Sequence, residues 1–242
     1  MRINEIFGPT LQGEGFHAGR LCTFVRLSGC NLQCTWCDTP QTWAWTPAKA
    51  ANHQTGKQWE RSVEEHDMSI GEIVKDVMQK GGFAVSFVVI SGGEPLLQQV
   101  DLVPLAKSLG YSDLPVHIET AGSIMPSELL MDSVDYFTVS PKLSSSGNTS
   151  RAAYHPEVLT RFAQSDKAGF KFVVSRPSDF DEVDKMVYDC QIPKHMVQIM
   201  PEGTNAETII SGMQLYIDDA MLRGYGMSSR LHTLIWNDKR GV

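Results

Sequence analysis

Three cysteines fall within one short stretch of the chain, Cys30 to Thr39, which has the sequence CNLQCTWCDT. Their CxxxCxxC spacing supplies three thiolates, one fewer than a closed four-ligand site on zinc or iron requires. The fourth position is therefore filled from elsewhere or left open. Three thiolates that hold three corners of a cubane iron–sulfur cluster leave the fourth iron free for a small chelating molecule, and this arrangement predicts catalysis.

Two other interpretations of this stretch stay open at this point. The three cysteines could form a zinc knuckle completed by His17, His53 or Cys22, or they could be small buried hydrophobic residues. Cys22 and Cys190 lie in apolar stretches typical of a strand and a helix, so we expect both in the core. An odd total of five cysteines does not indicate a disulfide framework, and a reducing, cytoplasmic location is expected.

Short polar or glycine-bearing groups follow the apolar runs of the chain. They are SGGEP at 91–95, ETAG at 119–122, SPK at 140–142, SRPS at 175–178 and MPEG at 200–203. Because parallel strands place their carboxyl ends at one edge of a sheet, we expect these groups to lie together beside the cysteines. Lys142 and Glu119 become candidate site residues because of this position.

The elements that position these groups alternate between apolar runs and amphipathic helices. Apolar runs typical of buried parallel strands occur at 21–27, 87–90, 116–118, 136–139, 170–174 and 197–200. Helical periodicity follows capping boxes at Ser69–Glu72 and Thr204–Glu207. The pattern predicts an α/β fold, an incomplete or compact (βα) barrel with about six parallel strands.

Two stretches depart from this alternation. The glycines from Gly8 to Gly19 predict a loop before the first apolar run. An irregular insertion is expected at about 46–67, with His53 and His66 exposed to solvent. The rest of the pattern indicates a single domain over 1–242.

Composition and charge argue against two classes of partner. A hydrophobic content of 42% and a charged content of 20% are typical of a soluble globular protein. The formal net charge is -7 and no basic run is present, so nucleic acid is not an expected partner. No stretch approaches the roughly 18 consecutive apolar residues of a membrane span, and no secretory pattern begins the chain, so no membrane association is expected.

Several motifs together resemble one family. They are EIFGPTLQGEG, FVRLSGC, WCDT, SGGEP, SPK and the C-terminal LHTLIWNDKRGV. The cysteine spacing with GGEP resembles the radical S-adenosylmethionine (SAM) superfamily, and the full set resembles its 7-carboxy-7-deazaguanine synthase family. The resemblance spans Glu5 to Val242 and is weakest between Thr46 and Asp67. It implies a lyase that converts 6-carboxy-5,6,7,8-tetrahydropterin to 7-carboxy-7-deazaguanine by radical ring contraction with loss of ammonia, in queuosine and deazapurine biosynthesis.

The resemblance also implies cofactors and site residues. It implies a [4Fe-4S] cluster on Cys30, Cys34 and Cys37, SAM on the open iron, and Mg²⁺ on Thr39. The implied SAM contacts are Trp36, Cys37, Asp38, Gly93, Ser140, Pro141, Lys142, Gln198, Ile199, Met200 and Pro201. The implied substrate contacts are Leu11, Gln12, Gly13, Arg26, Ser91 and Val242. No catalytic group beyond the cofactors is expected, with Arg26 and Glu119 as candidate substrate-orienting groups.

The family further implies a homodimer and an electron donor such as a flavodoxin or ferredoxin. Two rival functions stay open: another radical SAM enzyme, such as a glycyl-radical activase, and a non-catalytic zinc- or cluster-binding protein. An activase needs a wide protein-binding surface, whereas LQGEG, Arg26 and the KRGV terminus favour a small anionic substrate. A brown protein with about four irons per chain would exclude zinc, because zinc sites are colourless.

Overall fold

The computed structural model describes residues 1–81 and 84–242, and these form one nine-stranded sheet in the order β3-β1-β2-β4-β5-β6-β7-β8-β9. The strands are β1 (Arg2–Leu11), β2 (Leu21–Leu27), β3 (His66–Asp67), β4 (Phe87–Gly92), β5 (Val116–Thr120), β6 (Tyr136–Val139), β7 (Ala168–Val174), β8 (Val197–Pro201) and β9 (Gly226–Met227). The helices are α1 (Pro47–Ala50), α2 (Arg61–Glu64), α3 (Ile70–Gly81), α4 (Gln99–Gly110), α5 (Glu128–Ser133), α6 (Ser150–Ala153), α7 (Pro156–Ala163), α8 (Asp179–Asp189), α9 (Ala206–Arg223) and α10 (Leu231–Trp236).

Strands β2 and β4 to β8 run parallel to one another, and the short β9 continues the same direction. The predicted α/β fold with about six parallel strands is therefore confirmed. Strands β1 and β3 add an antiparallel edge. Because β3 and β9 stand at opposite edges of the sheet, the barrel is incomplete rather than closed. Each helix within residues 1–81 and 84–242 is too short or too polar to span a lipid bilayer.

Alternation along the parallel strands separates a helix-facing side from a concave side. On β5, Val116 and Ile118 pack into the main hydrophobic core, whereas His117 and Glu119 face the concave side. The buried Cys22 and Cys190 confirm the expectation that these two cysteines are core residues. Because successive side chains of a strand point to opposite faces, the polar residues of these apolar strands face the barrel interior.

Two expectations about local structure are wrong, and one is confirmed. Residues 8–11, predicted as loop, continue strand β1: after an irregularity between Phe7 and Thr10, Thr10 and Leu11 pair with Cys22 and Leu21 of β2. Helix α9 is not capped by Thr204–Glu207, since the Asn205 side chain accepts a hydrogen bond from the Thr208 amide at 2.9 Å. The Ser69–Glu72 box is confirmed by reciprocal hydrogen bonds of 2.8 and 3.3 Å.

Segment 46–67 contains two short helices and joins the sheet through β3. The Gln54 amide donates to the Thr35 carbonyl oxygen at 2.8 Å, which ties the segment to the cysteine loop. The expected exposure of His53 is wrong: its ring is buried, with Nε2 2.8 Å from the Cys37 carbonyl oxygen. The segment is therefore a wall beside the cysteines.

An aromatic cluster closes the amino-terminal end of the parallel strands. The His117 ring lies 4.3 Å from Phe87 and 4.4 Å from His17, between ring centroids, and Tyr136 lies 4.4 Å from His17. Burial, together with the nearby His17 and Arg20, lowers the pKa of His117 to about 3. The folded protein therefore keeps this ring neutral where an exposed histidine would be protonated.

The free energy of unfolding is expected to fall on acidification because of His117. Below about pH 6.5 the unfolded chain protonates this ring and the folded chain does not, so stability present above that pH is lost toward pH 3. Between about pH 6.5 and 5 the loss is about 1–2 kcal/mol, allowing for partial solvent access. In urea unfolding, His117→Phe should remove this part of the pH dependence and the exposed His195→Gln should not. Full pH dependence in His117→Phe would contradict this account.

Candidate active site

A cavity of about 580 Å³ lies at the carboxyl ends of the parallel strands. It is lined by the cysteine loop, by the ends of β4, β5, β6 and β8, and by the last six residues of the chain. Four of the five strand-end groups identified in the sequence contribute to it. The SRPS group at 175–178 is the exception and lies outside the lining.

Each sulfur of the cysteine loop accepts a hydrogen bond from an N–H group. The Leu32 amide donates to Cys30 Sγ at 3.4 Å, Asn148 Nδ2 donates to Cys34 Sγ at 3.1 Å, and Trp43 Nε1 donates to Cys37 Sγ at 3.3 Å. Such donors stabilise thiolate charge and set the reduction potential of an iron–sulfur cluster. Small buried hydrophobic cysteines would have no need of these partners.

The arrangement of the three cysteine sulfurs fits an iron–sulfur cluster rather than a single metal ion. In the part of the chain that the structure describes, no three His, Cys, Asp or Glu side chains are grouped to hold one ion. A cubane instead takes one thiolate per iron, so its cysteines spread around it. Of the proposed partners of a zinc knuckle, Cys22 packs in the core and His17 in the aromatic cluster. His53 lies beside the loop, but both of its ring nitrogens are in hydrogen bonds, with Thr55 and with the Cys37 carbonyl oxygen. Burial raises the pKa of Cys37 to about 11.

The SGGEP turn packs directly against the cysteine loop. A Cβ atom at Gly93 would lie 2.0 Å from the Gly29 carbonyl oxygen, so only glycine fits this close approach. The Glu94 carboxylate does not line the cavity and accepts hydrogen bonds from Thr120 Oγ1 and the Ala121 amide, both at 2.8 Å. Burial raises the pKa of Glu94. This side chain fastens the end of β4 to the end of β5 and leaves the glycine backbone facing the cavity.

The residues predicted to bind SAM divide into two groups. Those that line the cavity are Trp36, Cys37, Asp38, Gly93, Ser140, Lys142, Met200 and Pro201. The others, Pro141, Gln198 and Ile199, lie outside the lining. Ile199 packs in the main core because alternation on β8 directs it toward the helices. Each of these SAM contacts stays a prediction.

The residues predicted to contact the substrate all line the cavity: Leu11, Gln12, Gly13, Arg26, Ser91 and Val242. Glu119 joins two of them, since Gln12 Nε2 donates to its Oε1 at 2.9 Å and Ser91 Oγ donates to its Oε2 at 2.7 Å. Arg26 Nε donates to Glu5 Oε1 at 2.7 Å. The carboxylate and the guanidinium therefore have defined orientations, while their substrate contacts stay predictions.

A buried charge network beside the cavity was not found by the sequence analysis. The Glu14 carboxylate pairs with Lys171 and with Arg230 Nε at 2.8 Å. Arg230 also pairs with Asp38 and donates to the Gly203 carbonyl oxygen at 2.6 Å. Burial alone would raise the pKa of Glu14, but the charges of Lys171 and Arg230 hold it well below its usual range. The network presents fixed charges of both signs to the cavity.

One signal in the sequence points to part of this network. Lys171 interrupts the apolar run FKFVV, and a lysine inside a buried strand needs an anionic partner. Its partner Glu14 lies 157 residues away, and Arg230 lies 216 residues from Glu14. No local pattern relates positions so far apart, so only the folded chain shows the network.

Comparison with known proteins gives the same relatives from sequence and from structure. The radical SAM superfamily pattern matches residues 24–146. The 7-carboxy-7-deazaguanine synthase of Pyrobaculum aerophilum is 35% identical, over 100% of this chain and 97% of the relative. That of Bacillus subtilis is 30% identical, over 99% of this chain and 98% of the relative. The crystal structure of QueE from Escherichia coli superposes with a TM-score of 0.69 at 28% identity, covering 96% of this chain and 94% of that chain.

The chain belongs to the 7-carboxy-7-deazaguanine synthase family. The predicted family is therefore confirmed, and the superfamily match at 24–146 contains both the cysteine loop and the SGGEP turn. Radical SAM membership implies a [4Fe-4S] cluster and SAM. The three hydrogen-bonded sulfurs would hold the cluster, and Gly93, Asp38 and Lys142 line the cavity beside them. Within residues 1–81 and 84–242, no group of His, Cys, Asp or Glu side chains is arranged as a zinc site.

Proposed function

We propose that this protein converts 6-carboxy-5,6,7,8-tetrahydropterin to 7-carboxy-7-deazaguanine by ring contraction with loss of ammonia, as a radical SAM lyase on the route to queuosine and related deazapurines. The proposal rests on the similarity of the chain, over 99–100% of its length, to proteins named 7-carboxy-7-deazaguanine synthase. When bound, the cluster and SAM supply the radical that the reaction needs. The side chains bind and orient the pterin and exclude water.

Opposite charges in the cavity match the two kinds of polar group on a carboxypterin. Glu119, fixed by Gln12 and Ser91, would accept hydrogen bonds from the pterin N–H groups. Arg26 uses Nε to hold Glu5, so its terminal nitrogens remain to bind the substrate carboxylate. This orientation fixes the position, relative to the cysteine loop, of the pterin carbon that loses hydrogen.

We also propose that Thr39 contributes to a Mg²⁺ site. Its hydroxyl lines the cavity and donates to the Gly92 carbonyl oxygen at 3.1 Å, which leaves the oxygen lone pairs for a cation. A single hydroxyl is a weak ligand, so substrate and water would supply the remaining oxygens, as is usual for Mg²⁺. The ion would polarise the substrate oxygens.

Replacing Thr39 by alanine is expected to slow turnover by about tenfold or more and to blunt its response to added Mg²⁺. The physical reason is the loss of the only protein oxygen assigned to the ion. Turnover rates across a Mg²⁺ titration measure the effect, with iron content showing that the cluster is intact. Thr39→Ser keeps the hydroxyl and serves as the control. An unchanged Mg²⁺ dependence in Thr39→Ala would count against this role.

We further propose that the protein acts in the cytoplasm as a homodimer and receives its electron from an acidic carrier such as a flavodoxin or ferredoxin. Segments 39–59 and 143–156 both hydrogen-bond to Thr35 of the cysteine loop and contain no Asp or Glu, although the net charge is -7. Lys49 and Arg151 lie on these segments, and such local positive charge attracts an acidic partner. If the rate of reduction by the carrier does not depend on salt concentration, an acidic carrier is contradicted. Gel filtration tests the homodimer.

The deciding experiment incubates the reduced protein, kept from oxygen, with SAM and the carboxypterin. The expected result is a brown protein with about four irons per chain that forms the deazaguanine and leaves SAM unconsumed. Deoxyadenosine without the deazaguanine would point to another radical SAM reaction, such as glycyl-radical activation. A colourless protein that binds zinc would contradict both.

A further inference from the structure

The last residues of the chain are fastened where they line the cavity. Residues 237–242 all contribute to the lining. Arg240 donates from Nη2 to Glu64 Oε2 at 2.8 Å and from Nη1 to Glu64 Oε1 at 3.2 Å. A bidentate pair of this kind fixes direction as well as distance. The tail is thus held two residues before its end.

Glu64 is itself a rigid support. It lies on α2, within segment 46–67, and its side chain is 9% exposed. Asn4 Nδ2 donates to the Glu64 carbonyl oxygen at 2.6 Å and to Oε2 at 3.0 Å. Burial works against the charge of Glu64, but hydrogen bonds from Arg240 and Asn4 hold its pKa below the usual range. If the tail were released, the buried Glu64 carboxylate would lose the charge of Arg240. This cost favours the state in which Arg240 stays paired with Glu64.

A second contact of Arg240 reaches the substrate side of the cavity. Its Nε donates to Glu5 Oε2 at 3.0 Å, and the other oxygen of Glu5 accepts the hydrogen bond from Arg26 Nε. Glu5 therefore bridges the tail and Arg26. Release of Arg240 would remove one of the two cations that orient Glu5 and so disturb Arg26 as well.

We infer that Glu64 and Arg240 are positioning residues, which latch the C-terminal tail against the substrate cavity, with segment 46–67 as the support of the latch. Its kinetic consequence rests on the proposed function, whereas the latch itself does not. The latch sets the positions of Gly241 and Val242, which line the cavity, and of Arg26. An unlatched tail would leave the cysteine loop untouched and weaken substrate binding.

The first test measures the latch without any substrate. Trypsin cuts after Lys239 and Arg240, so trimming of the tail is visible as a small loss of intact mass. Glu64→Gln is nearly isosteric and keeps the Asn4 contacts while removing one of the two carboxylate charges, those of Glu64 and Glu5, that hold Arg240. Trimming is expected to become about tenfold faster, because proteolysis follows the population of the open tail. Arg161→Gln, which breaks a bidentate pair with Glu128 on the surface, is the matched control and should trim at the wild-type rate.

The second test measures the consequence for turnover. In Glu64→Gln, the KM for the carboxypterin is expected to rise about tenfold with kcat nearly unchanged, and SAM cleavage without substrate to stay at the wild-type rate. The double variant Glu64→Gln with Arg240→Gln should lose no more than Arg240→Gln alone, since Arg240→Gln already breaks the Glu64 pair together with the Glu5 contact.

Unchanged trimming in Glu64→Gln overturns the latch. Faster trimming with an unchanged KM overturns the positioning role. If the wild-type protein makes no deazaguanine, the proposed function fails, and the trimming rates alone decide the latch.

Discussion

A Cys34→Ala protein purified without oxygen is expected to be nearly colourless and to form no detectable deazaguanine, a loss of at least about a thousandfold. Two thiolates cannot hold a cubane that keeps one iron open for SAM. The lost sulfur is also the one that Asn148 supports with a hydrogen bond. Iron content, visible absorbance and product formation measure the effect together.

Cys190→Ala is the matched control for this variant. Cys190 is buried in the main core, far from the loop in sequence and outside the cavity lining. The control should keep its colour, its iron and its turnover. A Cys34→Ala protein that retains about four irons and full turnover would contradict the assignment of the cysteine loop.

Replacing Arg230 by methionine is expected to lower the free energy of unfolding by about 3–5 kcal/mol, because it removes one partner from a buried charge network. Glu14 would keep Lys171 but lose Arg230, while the half-exposed Asp38 and the Gly203 carbonyl oxygen would lose their contacts with the Arg230 guanidinium. Turnover should fall with stability, since Asp38 and Glu14 both line the cavity. Urea unfolding and kcat/KM, measured on the same preparation, test both effects.

A surface arginine provides the comparison for Arg230. Arg61 pairs with Glu65 at 2.8 Å and its side chain is 55% exposed, so Arg61→Met should cost well under about 1 kcal/mol. If Arg230→Met lowers the free energy of unfolding as little as Arg61→Met does, the charge network does not stabilise the fold. A large loss of stability in Arg230→Met alone shows that the charges are paired as described.

Local patterns in the sequence were sufficient for the six long parallel strands, the cysteine loop and their common edge, but not for β1, β3 and β9. Each apolar run became a strand because a continuous buried run satisfies both faces of a parallel sheet, and its polar end then falls at the carboxyl edge. The loop from Cys30 to Cys37 carries its chemistry in its spacing, which needs no distant partner to be recognised. The family resemblance rested on these same short motifs.

Tertiary structure alone decided which charges meet. Glu14 and Arg230, or Glu64 and Arg240, are ordinary polar residues in sequence, and their pairing follows from folding the two ends of the chain onto one cavity. The burial of His53 is likewise a result of tertiary structure, because segment 46–67 packs against the cysteine loop and places the ring on the Cys37 carbonyl oxygen. Burial makes such contacts strong, and burial depends on all the elements at once, which no stretch of sequence specifies by itself.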